Sequence, residues 1–131
     1  MKISTKGRYA LAIMLDLAMN NPEEYISLKD IATRQEVSIK YLERIIAILN
    51  KAGYVKSSRG NAGGYKLARK PDEYKVGDIL RTAEGDLAPT TYVQEGCHKQ
   101  DSCLTYSFWQ GLDNAIENYV DSKTLEDLIK K

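Results

Sequence analysis

A chain of 131 residues, 43% hydrophobic and 28% charged, holds enough material for one globular domain with its own core and a modest extension. No stretch is low in complexity, none repeats at a fixed period, and no apolar run approaches the roughly 20 residues of a membrane span. The formal charge of +1 conceals a split: residues 1–70 carry 13 Lys+Arg against 6 Asp+Glu, a difference of +7, and residues 71–131 carry 6 against 12, a difference of −6. The first half therefore suits a polyanion, and the second serves another purpose.

Lys2, Lys6 and Arg8 precede an apolar run from Tyr9 to Leu15, superficially imitating a signal peptide. Asp16 interrupts the run, and no small-x-small site follows before Asn20-Asn21-Pro22, so the expectation is a buried first helix from Thr5 to about Asn20 and a cytoplasmic protein. Ser27 stands three residues before Asp30 as a capping-box-like start, with Leu28, Ile31 and Ala32 at helical spacing up to about Gln35. Ser38 opens a longer helix whose Leu42, Ile45, Ile46 and Leu49 share one face, and Gly53 stops it. The two helices are joined by about three residues, as a helix-turn-helix requires, although no glycine occupies the turn; Val37 there would plug the core.

Residues 54–58 and 65–68 read as two strands around the tip Arg59-Gly60-Asn61-Ala62-Gly63-Gly64. Pro71 and Asp72 lead to a short helix with Val76, Ile79, Leu80 and Ala83, after which residues 85–103 show no sustained period. Helical spacing resumes over 104–120, and Thr124 with Asp127 starts a last short helix. The fold class is mainly α: a winged helix-turn-helix with a two-stranded wing (1–85), a cysteine-containing loop (86–103), and a long C-terminal dimerisation helix with a short helix after it (104–131).

With its apolar face turned inward, the helix from Ser38 presents Lys40, Glu43, Arg44, Ala47 and Lys51 outward. Lys and Arg suit phosphates and the acceptor edge of guanine, Glu can accept from cytosine, and Ala47 permits close approach to a groove floor. An ordinary solvated helix face has the same composition. The hairpin shifts the balance, because a glycine-rich tip begun by Arg59 and flanked by Lys56 and Lys66 can press its backbone N–H groups on phosphates while Arg59 enters a minor groove. In the C-terminal segment Leu104, Phe108, Trp109, Leu112, Ala115, Ile116, Tyr119 and Val120 gather into an arc of roughly 160°, wider than the ~100° stripe that one packing face needs. Two partners are expected: the winged domain and the same helix of a second chain, with Leu104, Phe108, Leu112, Ala115, Ile116 and Tyr119 as the dimer-interface candidates.

The segments Met1–Tyr9, Ser38-Ile39-Lys40-Tyr41-Leu42-Glu43, Val55–Tyr65 and Val76-Gly77-Asp78-Ile79 closely resemble the IscR/NsrR/CymR family of bacterial winged helix-turn-helix regulators, the Rrf-two family. The resemblance extends through Cys103-Leu104-Thr105 and Trp109 to Leu128, and its most specific element is the Arg-Gly-x-x-Gly-Gly-Tyr wing together with Tyr-Leu-Glu on the helix. It implies a homodimer on an imperfect palindrome of double-stranded DNA, with the helix from Ser38 in the major groove, the Arg59 wing in the adjacent minor groove, and Tyr65 anchoring the wing. The candidate DNA contacts are Lys2, Ser38, Lys40, Tyr41, Glu43, Arg44, Lys56, Arg59, Gly60, Asn61, Gly63 and Gly64. The implied function is transcriptional regulation by repression, without catalysis.

Two cysteines in a cytoplasmic chain read as free thiols, metal ligands or redox groups rather than a structural disulfide. In cluster-binding members of the family, three cysteines of this loop, with a histidine or an N-terminal side chain of the other subunit, hold an iron–sulfur cluster. Cys97 and Cys103 match the second and third; the first is missing, and Tyr106 stands where one subgroup has its histidine. A 2Fe–2S cluster completed by His98, Asp101 or Glu95, thiol or disulfide sensing, a loop that senses nothing, and zinc on Cys97, Cys103 and His98 all stay open. Two rival functions are a thiol-based redox enzyme with His98 as base, for which no oxyanion-hole motif is present, and a winged-helix protein-interaction module, against which the basic wing tip argues.

Overall fold

The computed structural model describes residues 2–20, 23–60, 63–89 and 104–130. Six helices and one hairpin follow in chain order among the described residues: α1 (Thr5–Met19), α2 (Leu28–Gln35), α3 (Ile39–Lys51), β1 (Val55–Ser58), β2 (Gly64–Leu67), a 3₁₀ turn (Pro71–Glu73), α4 (Val76–Glu84), α5 (Tyr106–Asp121) and α6 (Leu125–Ile129). None of the helices is long and apolar enough to cross a membrane.

Local chemistry sets the boundaries of the helix-turn-helix. The Ser27 hydroxyl accepts from the Asp30 N–H at 3.1 Å, and the Ser38 hydroxyl accepts from the Tyr41 N–H at 3.1 Å, each satisfying one orphan donor of a first turn. Between them Glu36 takes the left-handed conformation (φ 54°, ψ 45°) at which helices usually place glycine, so the chain reverses without the glycine that the motif commonly has there. Val37 follows, half-buried against the core. At the far end of α3 the Tyr54 N–H reaches the Leu49 carbonyl and the Gly53 N–H the Asn50 carbonyl, both at 3.0 Å, which closes the helix and aims the chain into β1.

The main core is built by Ala10, Ile13, Met14 and Leu17 of α1 against Ile31, Leu42, Ile45, Ile46 and Leu49, with Val55 and Leu67 contributed by the hairpin. Asp16 lies inside it at 4% exposure. Its carboxylate accepts from Arg34 Nη2 at 2.7 Å, Arg34 Nε at 3.0 Å and Gln35 Nε2 at 2.9 Å, and this pairing makes its burial tolerable. The ion pair fastens the C-terminal turn of α2 to α1.

β1 and β2 are antiparallel, with Val55 opposite Leu67 and Ser58 opposite Gly64. A reciprocal pair of backbone hydrogen bonds, both 2.8 Å, joins Ile26 to Tyr65 and ties the wing to the residues just before α2. The chain's end returns to the first half: the Val76 N–H donates to the Lys123 carbonyl (2.8 Å), the Leu125 N–H donates to the Tyr74 carbonyl (3.1 Å), and Leu125 is fully buried in the main core. The 104–131 segment thus completes the core of the 1–85 segment. A second cluster of Val76, Leu80 and Leu87 receives Ile116 and Val120 from α5.

Candidate nucleic-acid interface

On α3 the division of faces is complete: Leu42, Ile45, Ile46 and Leu49 are buried, and Lys40, Glu43, Arg44, Ala47 and Lys51 are exposed. Ser38 serves as the N-cap, so one lone pair of its hydroxyl is spent on the Tyr41 N–H. The Tyr41 ring packs edge-on against Tyr9 of α1, with centroids 5.8 Å apart at 84°. Tyr41 therefore orients α3 as much as it offers a surface to a ligand. Ile39, which the sequence reading left off the contact set, is 47% exposed in the first turn, one turn before Glu43 on the same side of the helix. A bare β-branched side chain there supplies apolar surface of the kind that meets a thymine methyl.

Close approach by the wing depends on its glycines in ways that differ from the simple expectation. Gly60 has φ 101°, and open space surrounds the position of a missing Cβ, so its backbone is the part of the tip free to approach a phosphate. Gly63 is different: its N–H already donates to the Gly60 carbonyl at 3.0 Å, which closes the turn at the tip. Gly64 pairs with Ser58 in the ladder, and a Cβ there would strike the Ile26 carbonyl. Its lack of a side chain lets the wing dock on the residues preceding α2. Gly63 and Gly64 thus shape the wing, and Arg59 and Gly60 present themselves outward. Asn61 lies outside the described residues.

Electrostatically, the interface is uncompensated. Lys2, Lys40, Arg44, Lys51, Lys56 and Arg59 are exposed, and none forms an ion pair among the described residues. In the same half only Arg34 does, with the buried Asp16. The N-terminal arm carrying Lys2 is held by a residue about 80 positions away in sequence, Glu84 at the end of α4, which accepts from the Ser4 N–H (2.8 Å), the Ser4 hydroxyl (2.6 Å) and the Gly7 N–H (3.1 Å). The Ser4 hydroxyl is the chief reason that the Glu84 carboxyl lies below its ordinary pKa.

α5 has two apolar aspects. Ile116 and Val120 turn toward the chain's own Val76, Leu80 and Leu87, so Ile116, a dimer-interface candidate by its spacing, is half-buried within the subunit. Leu104 (96% exposed), Phe108 (63%), Leu112 (37%) and Tyr119 (67%) point outward with exposed Ala115. The four helical members of this set fall within roughly 60° at 100° per residue. Arg81 of α4 fixes the helix's remaining side by binding Glu117 and Asp121 (2.9 Å), and it also reaches Asp78 of its own helix (3.3 Å). Its hydrogen bond to Asp121, ahead of that to Glu117, raises the guanidinium pKa further.

Cys97, His98 and Cys103 lie outside the described residues, as do Glu95 and Asp101. Among the described residues no group of three His, Cys, Asp or Glu side chains is placed to hold a metal ion.

Residues 3–131 match a family model described as Rrf2, iron-dependent transcriptional regulator. The HTH-type transcriptional regulator IscR of Aliivibrio salmonicida is 40% identical over 98% of this chain and 77% of its own length. The structure of CymR, described as the global cysteine regulator of B. subtilis, superposes with a TM-score of 0.85 at 42% identity, covering 98% of this chain and 95% of that one. IscR from T. potens superposes at 0.81 with 48% identity, covering 99% and 87%.

Proposed function

The chain belongs to the Rrf2 family of DNA-binding transcriptional regulators, and from that premise we infer that it acts as a cytoplasmic homodimer that represses transcription from an imperfect palindrome. In this reading α3 enters the major groove, with Lys40, Glu43 and Arg44 toward base edges and phosphates, while Arg59 and Gly60 of the wing meet the adjacent minor groove. Ser38 and Tyr41 set the angle of α3, and Lys2 reaches a flanking phosphate from the arm that Glu84 holds. Two such units are coupled through the outward stripe Phe108, Leu112, Ala115 and Tyr119, extended by Leu104. The observation that carries the reading is the set of exposed, unpaired cations on α3 and the wing tip, on elements whose opposite faces build the core. The thiol-enzyme alternative gives way to family membership, since the named relatives are transcriptional regulators.

A 2Fe–2S cluster takes four ligands, and this chain has two cysteines and one histidine in all. Its cysteines and histidine alone therefore fall one donor short within a subunit, and no step of the proposed mechanism passes through a cluster.

The test is binding to a duplex selected from random sequence by the wild-type protein, titrated against salt. Each phosphate neutralised should contribute about −0.9 to the slope of log K against log salt, and Arg59→Ala should cost roughly 1–3 kcal/mol of specific binding. A flat slope would refute DNA binding through this surface, and full affinity in Arg59→Ala would remove the wing from it.

A further inference from the structure

The outer face of the wing carries cations that the contacts described so far leave largely unused. Lys56 stands directly opposite Lys66 in the ladder. Their neighbours Val55 and Leu67 are buried, so alternation sends both lysines out of the opposite face of the hairpin. Like charges directly opposite one another destabilise a strand pair, and no carboxylate among the described residues forms an ion pair with either. Arg69 and Lys70 follow in the chain and line the same groove of about 440 Å³, whose acidic members are Glu23 and Glu73. The Glu73 carboxylate is engaged, accepting from the Lys70 N–H at 3.0 Å.

Two of these cations are held in place without being neutralised. The Arg69 guanidinium lies over the rings of Tyr54 and Tyr74, 5.4 and 5.0 Å from their centroids, and the Lys66 amine lies 4.8 Å from the centre of the Tyr25 ring. The Tyr74 hydroxyl accepts from the Ala68 and Arg69 N–H groups and donates to the Tyr54 carbonyl, making this end of the wing rigid. Aromatic rings thus preorganise positive charge on a surface where four cations outnumber the two acids, Glu23 and Glu73, and none of the four is in an ion pair among the described residues.

We propose that this face binds the sugar-phosphate backbone flanking the half-site, extending the footprint beyond the bases that α3 reads without adding sequence preference. The proposal rests on the reading that the wing engages DNA. Continuity favours DNA over an acidic protein: β1 runs from Lys56 to Ser58 and on to Arg59 at the tip, a rise of about 10 Å for three residues. Over that length a duplex carries about six phosphate charges.

The experiment compares the selected duplex with about ten extra base pairs on each side and the same duplex trimmed to the half-sites. Wild-type protein should lose about ten-fold in affinity on trimming. Lys66→Gln/Arg69→Gln/Lys70→Gln should bind both duplexes equally, with a salt slope shallower by about 2 to 3, as expected from losing that many phosphate contacts. Lys66→Gln alone, which keeps the arginine stack, should show about a third of that change and guards against a folding defect in the triple variant. Variants that keep the wild-type dependence on flank length and salt would overturn the proposal and leave the face to another partner. Wild-type protein that binds neither duplex would overturn the DNA reading itself, and this proposal with it.

Discussion

At Glu84 one carboxylate gathers three donors from the start of the chain, Ser4 N–H, Ser4 hydroxyl and Gly7 N–H, and so sets where the basic arm emerges. Because those bonds depress its pKa below the ordinary 4.5, the stabilisation is fully present above pH 4.5 and is lost as pH falls through the folded-state value. The Ser4 and Gly7 amide resonances should therefore titrate together, with a midpoint below 4.5, and Glu84→Gln should abolish that titration. A midpoint at or above 4.5 would contradict the anchoring role. Residues of this kind were hard to read from sequence. The caps at Ser27, Ser38 and Thr124 are local, three residues from their partners, and were legible. Glu84 acts across 80 residues, and Asp16, visible in the sequence only as an interruption of an apolar run, is explained by Arg34 and Gln35 on another helix. The packing of Gly64 on the Ile26 backbone was not legible, because the two come close only through tertiary pairing.

Among the elements, α5 departs most informatively from its periodicity. The sequence offers one broad apolar arc, and the structure divides it: Ile116 and Val120 go to α4 and its cluster, leaving Phe108, Leu112, Ala115 and Tyr119 exposed among the described residues. A helical wheel can measure the width of an arc but cannot say which part faces the chain's own α4, because that depends on Arg81 drawing Glu117 and Asp121 inward. Replacing Arg81 by Gln should leave three carboxylates facing one another and weaken the α4–α5 contact by about 1–2 kcal/mol, less than for a fully buried pair because the guanidinium keeps some exposure. The effect should shrink as salt screens the repulsion. Urea unfolding of the variant at low and high salt measures both, and a midpoint equal to wild type would mean that Ile116 and Val120 alone hold the helix. The other elements were legible to within a residue or two, since their caps, stops and periods are encoded locally.

For the whole molecule, the division of charge in the sequence corresponds to a division of labour in space. Among the described residues the positive half displays unpaired cations on α3 and the wing, and the negative half spends Asp78, Glu117 and Asp121 on Arg81 and displays an apolar stripe on α5. The wing and recognition helix could be anticipated because their residue types have few other uses in combination. The cysteine segment could not, because two thiols and one imidazole are compatible with several chemistries and lie outside the described residues. The central claim is that two copies meet through the outward stripe of α5 and so hold two recognition helices at the fixed spacing that a palindrome needs. Sedimentation of the Phe108→Asp/Leu112→Asp variant tests it most directly. These positions avoid Ile116 and Val120, so the subunit should stay folded, while two unpaired carboxylates buried at the contact should cost several kcal/mol of association. The account predicts a folded monomer where wild type sediments as a dimer; a folded variant that remains dimeric would contradict it.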